Sequence, residues 1–365
     1  MSRSARSRDA MEAVPRLRPN PAAAAVGPRE PLLIDRGTLE SRLAALQGVA
    51  TDPVLGLFGP ASMTWQVSRE SLCFLGAGRA LLLQLAHPWV AQAIEDHSPV
   101  KRDPAGRFYR TFRAVFAMVF GARDQAFVQA RAVHRIHSHI RGTLPETLGP
   151  FPAGSPYYAN EAHAALWVHA TLCHSAVLVY ELVLPALTAA QKDRYWEEAR
   201  HFAALFGIAD TLLAPDWNAF CSYVQSMRES DVLTVGQAGR AIGDHPLSRA
   251  PGAFGALIPG WYRGLTASLL PARLRDAFGL SSGSREAAQV ARLLDQIPRL
   301  YPRLPAVLRF VGPYQEALAR LRGEPSPGLL TRASNLLWLV QVAHGWVPDL
   351  AGTTLQSGVP KRLAT

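Results

Sequence analysis

Apolar residues recur every three or four positions along most of the chain after residue 30, which is the spacing of one face of an α-helix. Ala, Leu, Arg and Glu dominate, and no segment rich in Val, Ile and Thr alternates like a strand. The pattern therefore predicts an all-α fold. The predicted helices cover roughly residues 37–47, 69–95, 105–119, 123–142, 160–183, 188–206, 216–229, 264–277, 284–294, 302–321 and 328–343.

Local signals mark several helix ends. Pro88 lies inside the segment 69–95, so a bend is expected there. Thr188 stands three positions before Gln191, the spacing of a capping box, and Asp216 is placed to cap the helix that follows it. No internal repeat is found, so the sequence predicts a single helical domain.

Composition sets the domain limits. Apolar residues make up 48% of the chain and charged residues 18%, which is typical of a globular protein. Residues 1–30 are rich in Arg, Pro and Ala without an apolar run, which predicts a disordered leader rather than a secretory signal. We assign residues 31–245 to the main helical domain and residues 246–365 to a C-terminal helical extension packed on the same domain.

The net charge of +10 comes mostly from Arg, and such a surface suits nucleic acid, anionic lipid or an anionic cofactor. No dense basic run stands beside aromatic residues, so no nucleic-acid partner is expected, while peripheral membrane contact stays open. The three cysteines are far apart, which indicates no disulfide framework and a reducing, cytoplasmic compartment. The oligomeric state is not specified by the sequence.

One apolar stretch, residues 162–187, is long enough to span a bilayer. It contains His163, His169, His174 and Glu181, each of which would have to enter lipid. A buried core helix is therefore the favoured interpretation.

Residues 134–142 read HRIHSHIRG and hold three histidines. On a helix, His137 lies in the apolar stripe, with His134 one turn before it and Arg141 one turn after it, whereas His139 faces out. A His on an apolar face is either a satisfied core residue or a metal ligand. A buried Arg needs an anionic partner, and a neutral imidazole beside an Arg suits haem, because the nitrogen binds iron and the guanidinium meets a propionate.

Other metal and hydrolase sites lack their motifs. HExxH and the GxSxG elbow are absent from the sequence. Only one Glu-x-x-His occurs, at Glu198 and His201, whereas a carboxylate-bridged di-iron bundle needs two. The Gly76-Ala77-Gly78 run does not continue as a dinucleotide fingerprint, so it predicts close helix packing.

Several motifs occur in a specific order, and together they resemble the family that joins bacterial latex clearing proteins (rubber oxygenases) with the fungal MpaB oxygenase. The resemblance runs from about residue 60 to about residue 235. In chain order the motifs are Gly78-Arg79-Ala80-Leu81-Leu82-Leu83-Gln84-Leu85-Ala86-His87-Pro88, Asp96-His97-Ser98, Arg107-x-x-Arg110-Thr111, Val133-x-x-Ile136-His137-x-x-Ile140-Arg141-Gly142, Pro156-Tyr157-x-Ala159 and Leu166-Trp167-Val168-His169-Ala170-Thr171-Leu172.

The resemblance implies a globin-like helical core around a b-type haem, and an enzyme that uses O₂ to cleave carbon–carbon double bonds in polyisoprene or prenyl chains. By position, His137 matches the proximal iron ligand and Arg141 the Arg that follows it. Arg107 and Thr111 match an Arg/Thr pair beside the haem pocket, and Arg110 stands where the rubber oxygenase has Lys.

The residues themselves leave some roles open. Arg107 and Thr111 are four apart and share a helix face, yet a solvated Arg and a Thr bonded to its own backbone have the same spacing. His87 precedes a proline break and is either a distal group or structural. Where the rubber oxygenase has a distal Glu, this chain offers only Glu95 and Asp96.

We therefore predict an iron-containing, haem b-dependent oxygenase, an oxidoreductase that uses O₂ on an apolar unsaturated substrate of terpenoid or lipid type. The alternative is a non-catalytic haem- or lipid-binding helical protein. The predicted site has three groups: catalytic Arg107, Thr111 and His87; cofactor-binding Arg141, Arg110 and His134; and the metal ligand His137.

Overall fold

The computed structural model describes residues 30–50, 52–98, 104–248, 259–280 and 283–324. Within these ranges fifteen α-helices form a single all-α domain, and the one sheet is a two-stranded ribbon. The predicted fold class is thereby confirmed. The predicted helix 328–343 and nearly all of the predicted leader lie outside the described residues.

The helices are numbered in chain order. They are α1 (Arg36–Val49), α2 (Met63–Ser68), α3 (Ala77–Leu85), α4 (Pro88–His97), α5 (Pro104–Phe120), α6 (Arg123–His137), α7 (Ala162–Val183), α8 (Ala189–Ala204), α9 (Trp217–Glu229), α10 (Gln237–Ser248), α11 (Pro259–Ser268), α12 (Ala272–Ala277), α13 (Ser284–Leu300), α14 (Ala306–Arg309) and α15 (Gly312–Leu321). Short 3₁₀ turns occupy Ser71–Gly76, Asp210–Leu212 and Tyr301–Arg303.

The ribbon lies between α6 and α7. Strand β1 (Arg141–Thr143) pairs antiparallel with β2 (Pro156–Tyr158), so that Gly142 faces Tyr157 across the ladder. Strands of three residues are too short to produce an alternating pattern, so periodicity did not predict them.

Several predicted helices are divided in the structure. The segment 69–95 forms a 3₁₀ turn and two helices, because Pro88 begins α4 and His87 before it has an extended backbone. Proline also starts new elements inside two other segments, which become α11 with α12 and α14 with α15. In contrast, α13 runs on to Leu300, past Pro298.

Helix α6 ends earlier than predicted, at His137. Ser138 Oγ and His139 Nδ1 both donate to the carbonyl of Arg135, at 2.9 and 2.6 Å. A longer helix would need that carbonyl for the amide of His139, so the side chains compete with the helix. Arg141 consequently lies on β1, and the expectation that it follows His137 by one helical turn is wrong.

Two predicted caps are present. The Thr188 hydroxyl accepts from the amide of Gln191 while the Gln191 side chain accepts from the amide of Thr188, which completes the capping box of α8. The Asp216 carboxylate accepts from the amide of Ala219 at the start of α9, at 2.7 Å.

Helix α7 runs through the core, where α3, α8, α9 and α13 pack around it. It is long and apolar enough to cross a membrane, and 61% of its apolar stretch is buried in the structure. Trp167 is fully buried and donates to the carbonyl of Leu83 at 2.8 Å. A Cβ on Gly76 would lie 3.1 Å from the carbonyl of Ser175, so the glycine permits the close approach of α7 that was predicted.

A buried ion pair joins the last helices to the start of the helical core. Glu70 is completely buried and accepts two bonds from Arg309, both at 2.8 Å, and one from the Tyr301 hydroxyl at 3.0 Å. The backbone of Val311 also donates to the carbonyl of Arg69 at 2.8 Å. Residues up to 324 therefore pack on the same domain as α1–α10.

Candidate functional site

Helices α5 and α6 form a hairpin whose open end carries the polar residues of the predicted site. The two helices are joined at Gly121, where a Cβ would lie 2.2 Å from the carbonyl of Ala117, so only glycine permits the tight turn. Arg107 lies near the start of α5 and His137 at the end of α6. The hairpin brings the two residues close enough that the charge of Arg107 lowers the pKa of His137.

His137 lies on the core-facing side of α6, in line with Ala126, Phe127 and Ala130, which are buried. Its ring is half-buried, and its nitrogens have no hydrogen-bond partner among the described residues. Burial, together with the positive charges of His134 and Arg107, lowers the pKa of His137 to about 4. The imidazole is therefore neutral at neutral pH, which is the form that binds a metal ion.

Arg107 is half-buried beside His137. Burial lowers the pKa of Arg107, and the neighbouring Arg110 adds to that effect, but the guanidinium stays charged at neutral pH. Among the described residues no carboxylate pairs with the Arg107 side chain. A buried guanidinium of this kind favours an anionic ligand.

Thr111 and Arg110 are exposed on α5. The Thr111 hydroxyl donates to the carbonyl of Arg107 at 3.1 Å, which is the backbone-bonded arrangement that the sequence left open. A hydroxyl held in this way is near Arg107 but is already engaged.

His134 is half-buried one turn before His137. Its Nε2 lies 3.0 Å from the carbonyl of Ile34, to which it donates, and the Asn160 side chain donates to the same oxygen at 2.9 Å. His134 thus anchors the segment before α1, and its charge acts on His137 through space.

Arg141 has an exposed side chain on β1. Its backbone carbonyl accepts from His97 Nε2 at 3.1 Å. The structure therefore places Arg141 near the end of α4 instead of on the same helix face as His137.

His87 is buried at the start of α4, where its ring contacts those of Trp89 and Phe151, which also contact each other. Burial lowers its pKa to about 4, against the opposing charge of Glu161. Its Nδ1 has no hydrogen-bond partner among the described residues. Among the described residues, His87 makes no hydrogen bond or ring contact with the group around His137.

An apolar cavity of about 90 Å³ lies between α2, α3, α5, α7 and α8. Two thiols line it, and burial raises the pKa of Cys73 and of Cys173 to about 12, so both stay protonated. The predicted helices 69–95 and 160–183, which are apolar enough to line a channel for an apolar substrate, form much of its wall together with α5 and α8. Its lining includes Ala80, Phe112, Phe116, Leu172, Ala176 and Phe202.

The residues around His137 fit a haem. Within the described part of the chain no group of three or more His, Cys, Asp or Glu side chains is placed to hold a metal ion. Haem needs only one such side chain, because its porphyrin supplies the other nitrogens. The neutral ring of His137 offers that ligand, and the guanidinium of Arg107 offers a partner for a propionate.

The fold and this group of residues define an all-α protein in which the half-buried, neutral imidazole of His137 lies beside the guanidinium of Arg107. The chain belongs to the family described as "ER-bound oxygenase mpaB/B'/Rubber oxygenase, catalytic domain", whose model matches residues 65–299, more than half of the chain. The protein is accordingly an oxygenase-family member, and thus an oxidoreductase. Comparisons with curated proteins and with solved structures gave no match.

Proposed function

We propose that the protein is a haem b-dependent oxygenase that uses O₂ to cleave a carbon–carbon double bond in an apolar substrate of terpenoid or lipid type. The observation that carries the proposal is the neutral, accessible imidazole of His137 beside the Arg107 guanidinium. Membership in an oxygenase family supports it.

The chain's own residues would divide the work. His137 would be the proximal ligand of the haem iron, and Arg107, with Arg110 and Arg141 near the same end of the hairpin, would bind the propionates. Bound haem would supply the O₂ chemistry, which the side chains cannot perform. His134 would stabilise neutral His137, since its nearby charge disfavours protonation of that ring.

Two further residues would have catalytic roles. Thr111 would orient the substrate or O₂ from α5, which requires its hydroxyl to leave the carbonyl of Arg107. His87 would act from the start of α4, where its Nδ1 is free of partners among the described residues. Overall, both oxygen atoms of one O₂ would enter the products, as two carbonyl groups in place of one double bond.

The cavity beside α5 supports the proposed substrate class. A volume of about 90 Å³ is roughly three times the share of one water molecule in the liquid. It would therefore seat the branched end of a hydrocarbon chain, with the rest of the chain extending along α5. The neutral thiols and phenyl rings of its wall favour an apolar group over a polar one.

We also propose that the protein contacts a membrane peripherally. The family description names an ER-bound oxygenase, the chain carries a net charge of +10, and anionic lipid attracts such a surface. A peripheral site would give the enzyme access to lipid-like substrates while α7 stays in the core. A cytoplasmic location remains a prediction from the cysteine usage.

The experiment that tests the activity is oxygen consumption by haem-supplemented protein with a prenyl substrate, using ¹⁸O₂ and mass spectrometry of the products. The expected result is one labelled oxygen in each of two carbonyl products. Haem-loaded protein that consumes no O₂ across a panel of prenyl and unsaturated lipid substrates would instead favour the haem-carrier alternative.

A further inference from the structure

Residues from three sequence motifs meet at one place in the fold, and the proposed function gives Asp96, His97 and Tyr157 no role. They are Asp96-His97 at the end of α4, Arg141-Gly142 on β1 and Tyr157 on β2. The motifs are far apart in sequence, so their meeting is a product of the fold.

The centre of this place is a hydrogen bond between two side chains. The Tyr157 hydroxyl donates to Asp96 Oδ2 at 2.6 Å, and Gln92 Nε2 donates to Asp96 Oδ1 at 2.8 Å. Tyr157 is completely buried. Burial raises the pKa of its hydroxyl, and the Asp96 carboxylate raises it further, so the hydroxyl keeps its proton and stays a donor.

Glycine makes this contact sterically possible. A Cβ on Gly142 would lie 2.5 Å from the Tyr157 hydroxyl oxygen and 2.8 Å from its ring. The ring therefore crosses directly over β1 to reach α4. His97 adds a second connection, since its Nε2 donates to the carbonyl of Arg141 at 3.1 Å.

The same ribbon is bonded to the end of the helix that carries His137. The amide of Ile140 donates to the carbonyl of His137 at 3.0 Å, and the amide of Ala159 donates to the carbonyl of Ile140 at 3.0 Å. His137 is the last residue of α6, and no hydrogen bond to its ring among the described residues holds the ring in place. Its orientation consequently depends on the backbone that follows it.

We propose that Tyr157 and Asp96 are positioning residues for the iron ligand: their hydrogen bond clamps the ribbon to α4 and so fixes the orientation of the His137 imidazole. We refer to this bond as the Tyr157–Asp96 clamp. The inference rests on the proposed function, in which His137 binds haem iron. The proposal gives Asp96 and Tyr157 a role, and it explains why glycine stands at position 142.

The test compares Tyr157→Phe with Tyr262→Phe in the full-length protein supplemented with haem. The first variant removes only the hydroxyl of the clamp. The control removes an equally bonded hydroxyl elsewhere, since Tyr262 donates to the carbonyl of Phe74 at 2.8 Å and accepts from the amide of Gly78. Loss of an outer-shell partner commonly weakens metal-site affinity by about 10- to 100-fold, so we expect that loss in haem affinity for Tyr157→Phe and no change for Tyr262→Phe.

A second readout reports orientation directly. The electron paramagnetic resonance spectrum of the ferric protein should broaden or shift in Tyr157→Phe, and change less in Asp96→Asn, whose amide oxygen still accepts a weaker, uncharged bond. A merely structural contact would lower the melting temperature of both tyrosine variants and leave both spectra as in the wild type.

The outcomes separate the two proposals. If the wild-type protein binds haem and Tyr157→Phe has the same haem affinity and the same spectrum as the wild type, the proposed role of the clamp is wrong while the proposed function stands. If the wild type binds no haem, both proposals fall. Hydrogen exchange of the Ile140 and Ala159 amides gives a check independent of haem: exchange in Tyr157→Phe as slow as in the wild type would overturn the clamp.

Discussion

The buried ion pair of Glu70 offers the sharpest test of how the last helices are held. Glu70 is 0% exposed and the Arg309 side chain 22%, and the two form a forked contact at 2.8 and 2.8 Å. Arg309→Met would keep much of the side-chain volume but leave the carboxylate with the Tyr301 hydroxyl and with the more distant guanidinium of Arg69, whose Nε lies 3.6 Å from Oε1.

The magnitude follows from the burial. Removing one partner of a buried ion pair costs about 3–5 kcal/mol, and Arg69, at 3.6 Å and without a forked contact, compensates the remaining charge only in part. For a domain of this size each 1 kcal/mol shifts the melting temperature by roughly 2–4 °C, so Arg309→Met should melt about 6–20 °C below the wild type. The double variant Glu70→Gln with Arg309→Met should recover most of that loss, since no buried charge remains.

Thermal unfolding followed by circular dichroism measures the effect, with Arg299→Met as the matched control. Arg299 pairs with Asp295 at 3.0 Å on the surface, where both side chains are more than 60% exposed, and such pairs contribute about 0–1 kcal/mol. Equal melting temperatures for Arg309→Met, Arg299→Met and the wild type would refute the reasoning. That result would show that this ion pair does not contribute measurably to the stability of the fold.

Three further predictions concern pH, the propionate site and a helix cap. The folded-state pKa values of about 4 for His87 and about 3 for His169 lie below the value of about 6.5 expected in the unfolded chain. The free energy of unfolding should therefore be highest above pH ~6.5 and fall as the pH falls towards 4 or 3, by about 2 kcal/mol per residue at pH 5. Urea midpoints that stay constant from pH 7 to 5 would contradict this. Arg107→Ala should weaken haem affinity by about ten- to a hundredfold, the value of a charge-assisted bond of about 1.5–3 kcal/mol, and exposed Arg141→Ala by less; haem titration decides, and the reverse order would be inconsistent with the site. Thr188→Ala should lower stability by about 1 kcal/mol in urea unfolding through loss of the capping box, and an unchanged midpoint would show that the cap contributes nothing.

The helices themselves were largely predictable from the sequence. Their apolar spacing is repeated over many residues, and residues such as Thr188 and Asp216 cap through their own neighbours. These signals are local, so no knowledge of the rest of the fold is required.

The ends and breaks were less predictable, since they depend on competing hydrogen bonds. The side chains of Ser138 and His139 donate to the carbonyl of Arg135. They replace the backbone hydrogen bond that would continue the helix. Arg141 then pairs with Tyr158 on the other strand, and this pairing forms only when the chain folds.

Some features of the candidate site were likewise predictable from local signals, and others were not. The position of His137 on the core side of α6 and the exposure of His139 follow from helix geometry. The approach of Arg107 to His137 depends on the α5–α6 hairpin, and the contact between Tyr157 and Asp96 depends on packing over more than sixty residues of chain. Periodicity carries no information about such distant contacts.

The visible spectrum of purified protein titrated with haem tests the central claim most directly. The account predicts a Soret band that saturates with haem for the wild type and for His139→Ala, whose ring is exposed and bonded only to its own helix end and to Ser138. The same titration of His137→Ala should give no specific band. A wild type without a Soret band, or a His137→Ala variant that titrates like the wild type, would contradict the assignment of His137 as the iron ligand.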